Sequence, residues 1–169
     1  RVVRLAADGD IEEAIAAAIR VLRSGEPALI LLAGASLRGR ALADATRVAT
    51  ATGARLSAET FNTRIERGRG RPNVPRIPYP IDQGLAALAG VRHLVLVNAI
   101  EPIAFFAYPG KPSYGLQAAT KVFYLANPHE DSVGALETVA EALGAPKEPR
   151  DVAPLKKPES ISDKFDQFT

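Results

Sequence analysis

The chain contains no cysteine, no methionine and no tryptophan. Without cysteine there is no disulfide, no thiol nucleophile and no cysteine-ligated metal, and such a chain suits the reducing cytoplasm, where we expect it. Methionine is absent even at position 1, which is Arg1. A natural reading frame opens on methionine, so the chain is expected to be processed or, as we prefer, cut from something longer. No apolar run reaches the ~18 residues of a membrane-spanning helix, and no signal-peptide pattern opens the sequence. Net charge is only +2, which does not point to nucleic acid or a membrane as partner.

What is present fits one globular domain with a tail. The 169 residues are enough to bury roughly 70% of the unfolded surface. Ile11, Ala14, Ile15, Ala18, Ile19 and Leu22 recur at helical spacing between Asp10, a candidate cap, and Gly25, a stop. Ala28–Ala33 is a short apolar run ending at Gly34, as in a strand buried on both faces. A helix is expected over Leu37–Thr52, a strand over Arg55–Glu59, and an irregular Pro- and Gly-rich stretch over 60–80. Then come a helix at Ile81–Leu88, a strand at His93–Val97, a loop through Ser113, a strand at Lys121–Leu125, and a helix capped by Asp131 or Ser132 that runs to Leu143. Strands alternating with helices predict a parallel sheet covered on both faces, an α/β/α Rossmann-like domain with at least four recognisable strands. From residue 146 to 169 Pro, Lys, Glu and Asp dominate, which reads as an exposed linker; Ile161, Phe165 and Phe168 could dock on a neighbour, but are expected to be loose or fixed only in a longer protein.

Ligands of open parallel sheets bind beyond the carboxyl ends of the strands. Those ends lead here to Gly34, Ala35, Ser36 and Arg38, to Thr60 and Asn62, and to Asn98 and Glu101, which together form a candidate nucleotide pocket. Gly34 and Gly39 leave a helix start open to an anion, although the dinucleotide fingerprint is incomplete and a plain strand-to-helix turn explains the same residues. Phe105–Ser113, FFAYPGKPS, contains a Gly-Lys pair, but a phosphate loop would place glycine at Phe105 and a hydroxyl residue at Pro112. The stretch is therefore a turn at Pro109-Gly110 preceded by three aromatic rings, which either pack on their own domain or face another. Arginines 64, 67, 69, 71 and 76 form a basic loop, solvated or in contact with a pyrophosphate or a subunit. His93 and His129 are not spaced as metal ligands, no nucleophile elbow occurs, and Glu59 and Glu101 read as capping or loop carboxylates. No catalytic or metal-binding residue is assigned.

Three segments, IEEAIAAAIRVLRSGEPALILLAGA, ATGARLSAETFNTRIERGRGRP and HLVLVNAIEPIAFFAYPGKPS, carry a family resemblance. Over about Ile11–Ala145 the chain resembles the central domain of thiamine-diphosphate-dependent enzymes of the acetolactate synthase and benzoylformate decarboxylase superfamily, in particular the acetolactate synthase large-subunit-like group. The resemblance implies a six-stranded parallel sheet of the DHS-like NAD/FAD-binding type over residues 1–145. It implies flanking thiamine-binding domains in the same chain, a homo-oligomeric parent, and thiamine diphosphate with Mg2+ held by those flanking domains. The glutamate that activates thiamine and the Gly-Asp-Gly diphosphate motif belong to them and do not occur here, so no cofactor is expected in this chain itself. Central domains of the family bind FAD, ADP or nothing. FAD binders carry an arginine in the loop after the strand equivalent to HLVLV, whereas this loop, NAIEPIAFFAYPG, has none.

Three functions are thus expected to compete. One is a noncatalytic scaffold within a larger decarboxylating or carboligating enzyme. Another is a stand-alone nucleotide-binding module for FAD, ADP, coenzyme A or NAD. The third is a small enzyme in its own right.

Overall fold

The computed structural model describes residues 4–5, 11–150 and 152–156. The expected caps at Asp10 and the tail residues Ile161, Phe165 and Phe168 lie outside them. Strands β2 (Ala28–Leu32) and β4 (His93–Val97) are buried at every position, as their unbroken apolar runs require. They pair in parallel, Ala28 opposite His93 and Leu32 opposite Val97. On one side β2 pairs with β3 (Arg55–Ala58), and on the other β4 pairs with β5 (Lys121–Ala126), which pairs with the short β1 (Arg4–Leu5). The five strands lie in the order β1-β5-β4-β2-β3, all parallel.

Where the family resemblance implies six strands, five are present among the described residues. The place outside β3 is taken by residues 75–77, which form a single parallel bridge between Ala58 and Arg76. There the Ala58 amide donates to the Pro75 carbonyl at 2.7 Å and the Ile77 amide to the Ala58 carbonyl at 2.9 Å. Prolines at 72, 75, 78 and 80 remove the donors a longer ladder would need.

The two faces of the sheet are covered unequally. Ile30, Leu32, Val95, Val97 and Phe123 pack under α1 (Ile11–Leu22), α2 (Gly39–Thr52) and α4 (Ser132–Ala142). Leu29, Leu31, Leu94 and Leu96 face the other way, against Ile77, Val91 and Leu88 of α3 (Ile81–Leu88). That second face has one eight-residue helix and relies on the loops at 60–80 and 98–120 for the rest of its cover.

Two local features depart from the sequence reading. The helix expected from Leu37 starts at Gly39, after a separate 3-10 turn over Gly34–Leu37 and an extended Arg38. The tail after Ala145 is not wholly an exposed linker. Arg47 Nε donates to the Pro146 carbonyl at 2.6 Å, and the Ala153 amide donates to the Arg71 carbonyl at 2.8 Å. Asp131 caps α4 as expected, its carboxylate accepting from the Val133 and Gly134 amides.

Candidate functional site

The chain leaves β2 towards β3 and leaves β4 towards β5, in opposite directions across the sheet. That divergence marks the place, beyond the carboxyl ends of β2 and β4, where such sheets bind ligands. Gly34 and Asn98 stand there, and a Cβ on Gly34 would lie 3.8 Å from the Asn98 Cβ. That is an ordinary contact, so the φ of +52° is what calls for glycine. Asn98 also has φ 52°, a conformation that asparagine tolerates better than other non-glycine residues. Its Nδ2 donates to the Asn127 carbonyl at 2.8 Å, which ties β4 to the loop after β5. Its Oδ1 is buried with no hydrogen-bond partner.

The other expected site residues divide between exposed and internally committed. Ala35 and Arg38 are exposed. Ser36 is fully buried; its hydroxyl accepts from the Ala33 amide at 3.1 Å and lies 2.7 Å and 3.0 Å from the Ala33 and Val97 carbonyls. It joins the ends of β2 and β4, its one proton is committed to their carbonyls, and its full burial keeps it from a ligand. Asn62 Nδ2 donates to the Glu59 carbonyl at 2.5 Å. Glu101 is buried and accepts from the Tyr114 and Tyr124 hydroxyls at 2.5 Å and 2.6 Å. This clamp holds the 98–114 loop against β5, and nothing in the sequence pattern signals it.

The start of α2, expected to be open to an anion, carries one of the chain's own. Glu66 Oε2 accepts from the Gly39 amide at 2.5 Å, and its Oε1 pairs with Arg71 at 2.9 Å. A phosphate placed at this helix start would meet the Glu66 carboxylate, so the residues do not fit a pyrophosphate there without displacing it. Arg67 of the same basic loop is held by Asn73 Oδ1 and the Val74 carbonyl.

The stretch FFAYPGKPS turns at Gly110, φ +70°, with the Lys111 amide donating to the Tyr108 carbonyl at 3.0 Å. Lys111 pairs with Asp82 at 2.5 Å. The aromatic rings before the turn join others from the two ends of the 60–80 loop. Phe61 lies edge-on to Tyr79 at 5.7 Å and 5.2 Å from Phe105; Phe105 meets Phe106 at 4.8 Å, and Phe106 meets Tyr108 at 6.3 Å. Burial first, and a hydrogen bond with Tyr108 second, push the Tyr79 phenol above its usual pKa. Phe105 and Phe106 are nonetheless 65% and 55% exposed, and Phe61, Ile100 and Ile103 are exposed beside them. An apolar, aromatic surface of this kind is uncommon on a solitary soluble domain.

Beneath these rings is a pocket of about 280 Å3, lined by Glu59, Thr60, Phe61, Phe105 and aliphatic residues. Glu59 is the charged residue in its wall, and burial pushes its carboxyl pKa up. Thr60 is the expected site residue that lines this pocket. The pocket is assembled from loops far apart in sequence; Glu59, Thr60 and Phe105 of its lining stand out there singly, but not as one site. Among the described residues no group of three or more His, Asp or Glu could hold a metal ion. No helix among them is long and apolar enough to cross a membrane.

No protein-family model matches the chain. It is 47% identical over 135 residues, or 80% of its length, to a protein of Mycobacterium tuberculosis named "Putative acetolactate synthase large subunit IlvX", of which it spans a quarter. Two solved structures share the fold. One is an X-ray structure described as a "putative thiamin diphosphate-dependent enzyme" of Mycobacterium smegmatis, with a TM-score of 0.59 and 21% identity over 86% of this chain and 30% of the other. The second is a thiamine diphosphate-dependent 4-hydroxybenzoylformate decarboxylase of Rhodococcus jostii RHA1, with a TM-score of 0.57 and 20% identity over 98% of this chain and 33% of the other. The chain is thus a relative of one portion of an acetolactate synthase large-subunit-like protein, and its Rossmann-like α/β fold recurs within thiamine-diphosphate-dependent enzymes.

Proposed function

We propose that the chain is the central domain of a thiamine-diphosphate-dependent enzyme of the acetolactate synthase-like type, a cytoplasmic oligomer that decarboxylates a 2-oxo acid and joins or releases the remaining acyl unit. Its role is that of a scaffold between two flanking thiamine-binding domains. The observation that carries this reading is the 47% identity along most of the chain to a relative of which it spans only a quarter. The exposed aromatic loop supports it, because Phe105 and Phe106 present large apolar area to whatever lies next to the domain. The residues present do not fit thiamine diphosphate. The sequence contains no Gly-Asp-Gly motif, and the described residues offer no metal cluster. Thiamine diphosphate and Mg2+ are accordingly assigned to the flanking domains.

A direct test is release of carbon dioxide from 2-oxo acids such as pyruvate, in the presence of thiamine diphosphate and Mg2+. The full-length protein that contains this sequence is expected to be active, and the 169-residue chain alone inactive. Turnover by the chain alone would overturn the scaffold reading.

A second reading, a nucleotide-binding module for FAD or ADP, is favoured by one feature, the exposed Gly34 opposite the unpartnered Asn98 Oδ1. The Glu66 carboxylate at the start of α2 opposes it. A nucleotide present at 100 times its dissociation constant would stabilise the chain by about 2.7 kcal/mol, so a melting temperature unmoved by FAD, ADP, coenzyme A and NAD would exclude it.

A further inference from the structure

The pocket under the aromatic loop shares Phe105 with the contact surface of the scaffold reading but includes neither Gly34 nor Asn98. Leu31 pairs with Ser57 in the β2–β3 register, and Leu32 with Ala58. Strand alternation therefore places Glu59, like Ser57, on the thinly covered face with Leu31. Leu31 and Ile77 of that face line the same pocket. The Glu59 backbone is committed, its amide donating to the Leu32 carbonyl at 2.9 Å and its carbonyl accepting from Asn62. Its carboxylate has no hydrogen-bond or ion-pair partner among the described residues. A half-buried carboxylate without a partner in an apolar wall is costly to keep, and a donor from a ligand would offset that cost. Phe61 and Phe105 stand at the mouth, in contact with each other and open to solvent, where their faces can attract a cation as well as stack on a ring.

We propose that this pocket binds a small aromatic ammonium or amidinium compound, its cationic group donating to the Glu59 carboxylate and its ring held between Phe61, Phe105 and the aliphatic wall. The volume of about 280 Å3 lies at the lower end of small-molecule sites, which run from roughly 300 Å3 upward, so the ligand is of one or two rings. Anionic compounds of the same shape are excluded by the carboxylate.

The absence of tryptophan makes the test direct, because an indole ligand is then the only indole fluorophore in solution. Tryptamine is titrated with the 169-residue chain and its fluorescence anisotropy followed, with indole-3-propionate as the anionic counterpart of similar size. Tryptamine is expected to bind at least about tenfold more tightly than indole-3-propionate. Glu59→Gln is expected to remove most of that preference, and Phe105→Ala to weaken tryptamine binding while the preference remains. An unchanged tryptamine anisotropy at millimolar protein, equal binding of the two indoles to the unaltered chain, or an undiminished preference in Glu59→Gln would each overturn the proposal. The comparison of the two indoles uses the unaltered chain, so it stands even if a variant fails to fold.

Discussion

Truncating the exposed rings separates a contact loop from a piece of core. Phe105 is 65% exposed and Phe106 55%. A phenylalanine side chain offers on the order of 200 Å2 of surface, so roughly a third of that, about 70 Å2, is buried at Phe105. At about 25 cal/mol per Å2 this amounts to about 1.7 kcal/mol, an upper figure because the unfolded chain already hides part of the same area. Phe106, with slightly more buried, should cost about 2 kcal/mol by the same reasoning. Phe123 in β5 is 3% exposed, and its truncation should cost the ~3–5 kcal/mol of a core phenylalanine. Urea unfolding of the 169-residue chain, followed by far-UV circular dichroism, measures all three. Phe105→Ala and Phe106→Ala are expected to move the midpoint modestly with the slope unchanged, and Phe123→Ala to move it further than either. In the full-length protein the order should reverse in relative terms, the double loop variant losing assembly or turnover out of proportion to its effect on the isolated chain. If Phe105→Ala costs as much as Phe123→Ala in the isolated chain, the ring is core and the contact-loop reading is wrong.

Three further outcomes follow from the same structure. Asn98→Ala loses the bond to the Asn127 carbonyl and places a Cβ-bearing residue without local hydrogen bonding at φ 52°, so urea unfolding should show a loss of about 2 kcal/mol. Asn98→Gly loses only the hydrogen bond and should cost about half as much; a larger loss in the glycine variant would contradict the backbone argument. Burial holds the Glu59 carboxyl above its ordinary pKa of 4.5, so the ionised group destabilises the native state at pH 7. That penalty disappears as the pH falls through the raised native value towards 4.5. Glu59→Gln should therefore be more stable than the unaltered chain at pH 7, with the difference shrinking as the pH falls towards 4.5. A variant less stable at pH 7 would show that the carboxylate has a partner. Glu26 behaves in the opposite sense. The hydrogen bond from His93 and the attraction of its ring hold Glu26 below 4.5, giving stability that is complete above that pH and lost as acid reaches the depressed native value. Glu26→Gln should flatten this acid limb of the stability profile, and an unaltered limb would mean that the pair does not persist in solution.

Much of the fold was legible in the sequence because its strands are buried on both faces. Apart from His93 at the start of HLVLV, ALILLA and HLVLV have no polar residue to make their assignment ambiguous, and Gly34, Gly53 and Gly90 mark ends where the chain turns at positive φ. The start of α2 was misplaced because Gly34–Leu37 carries helix-compatible residues yet closes as its own 3-10 turn, fixed by the buried Ser36 hydroxyl. The short β1 was not anticipated, since two residues carry no period. The bridge at Arg76 leaves no pattern either, because a single pairing needs none.

For the site, the strand-end rule named Gly34 and Asn98, and the fold makes them neighbours. It could not foresee that Glu66 would occupy the helix start or that two tyrosines would clamp Glu101. Those are contacts between segments whose spacing in sequence is arbitrary. The aromatic pocket was half visible. FFAY is conspicuous in a chain with few aromatics, whereas Phe61 and Tyr79 stand singly among polar residues and prolines and join it only through the fold.

The mass of the native protein that carries this sequence tests the central reading most directly. Immunoblotting or intact mass spectrometry of source cells is expected to find a species several times heavier than 17.9 kDa, as the quarter-length match to the mycobacterial relative implies. A species near 17.9 kDa alone would contradict a central scaffold domain and make the chain a protein that acts by itself.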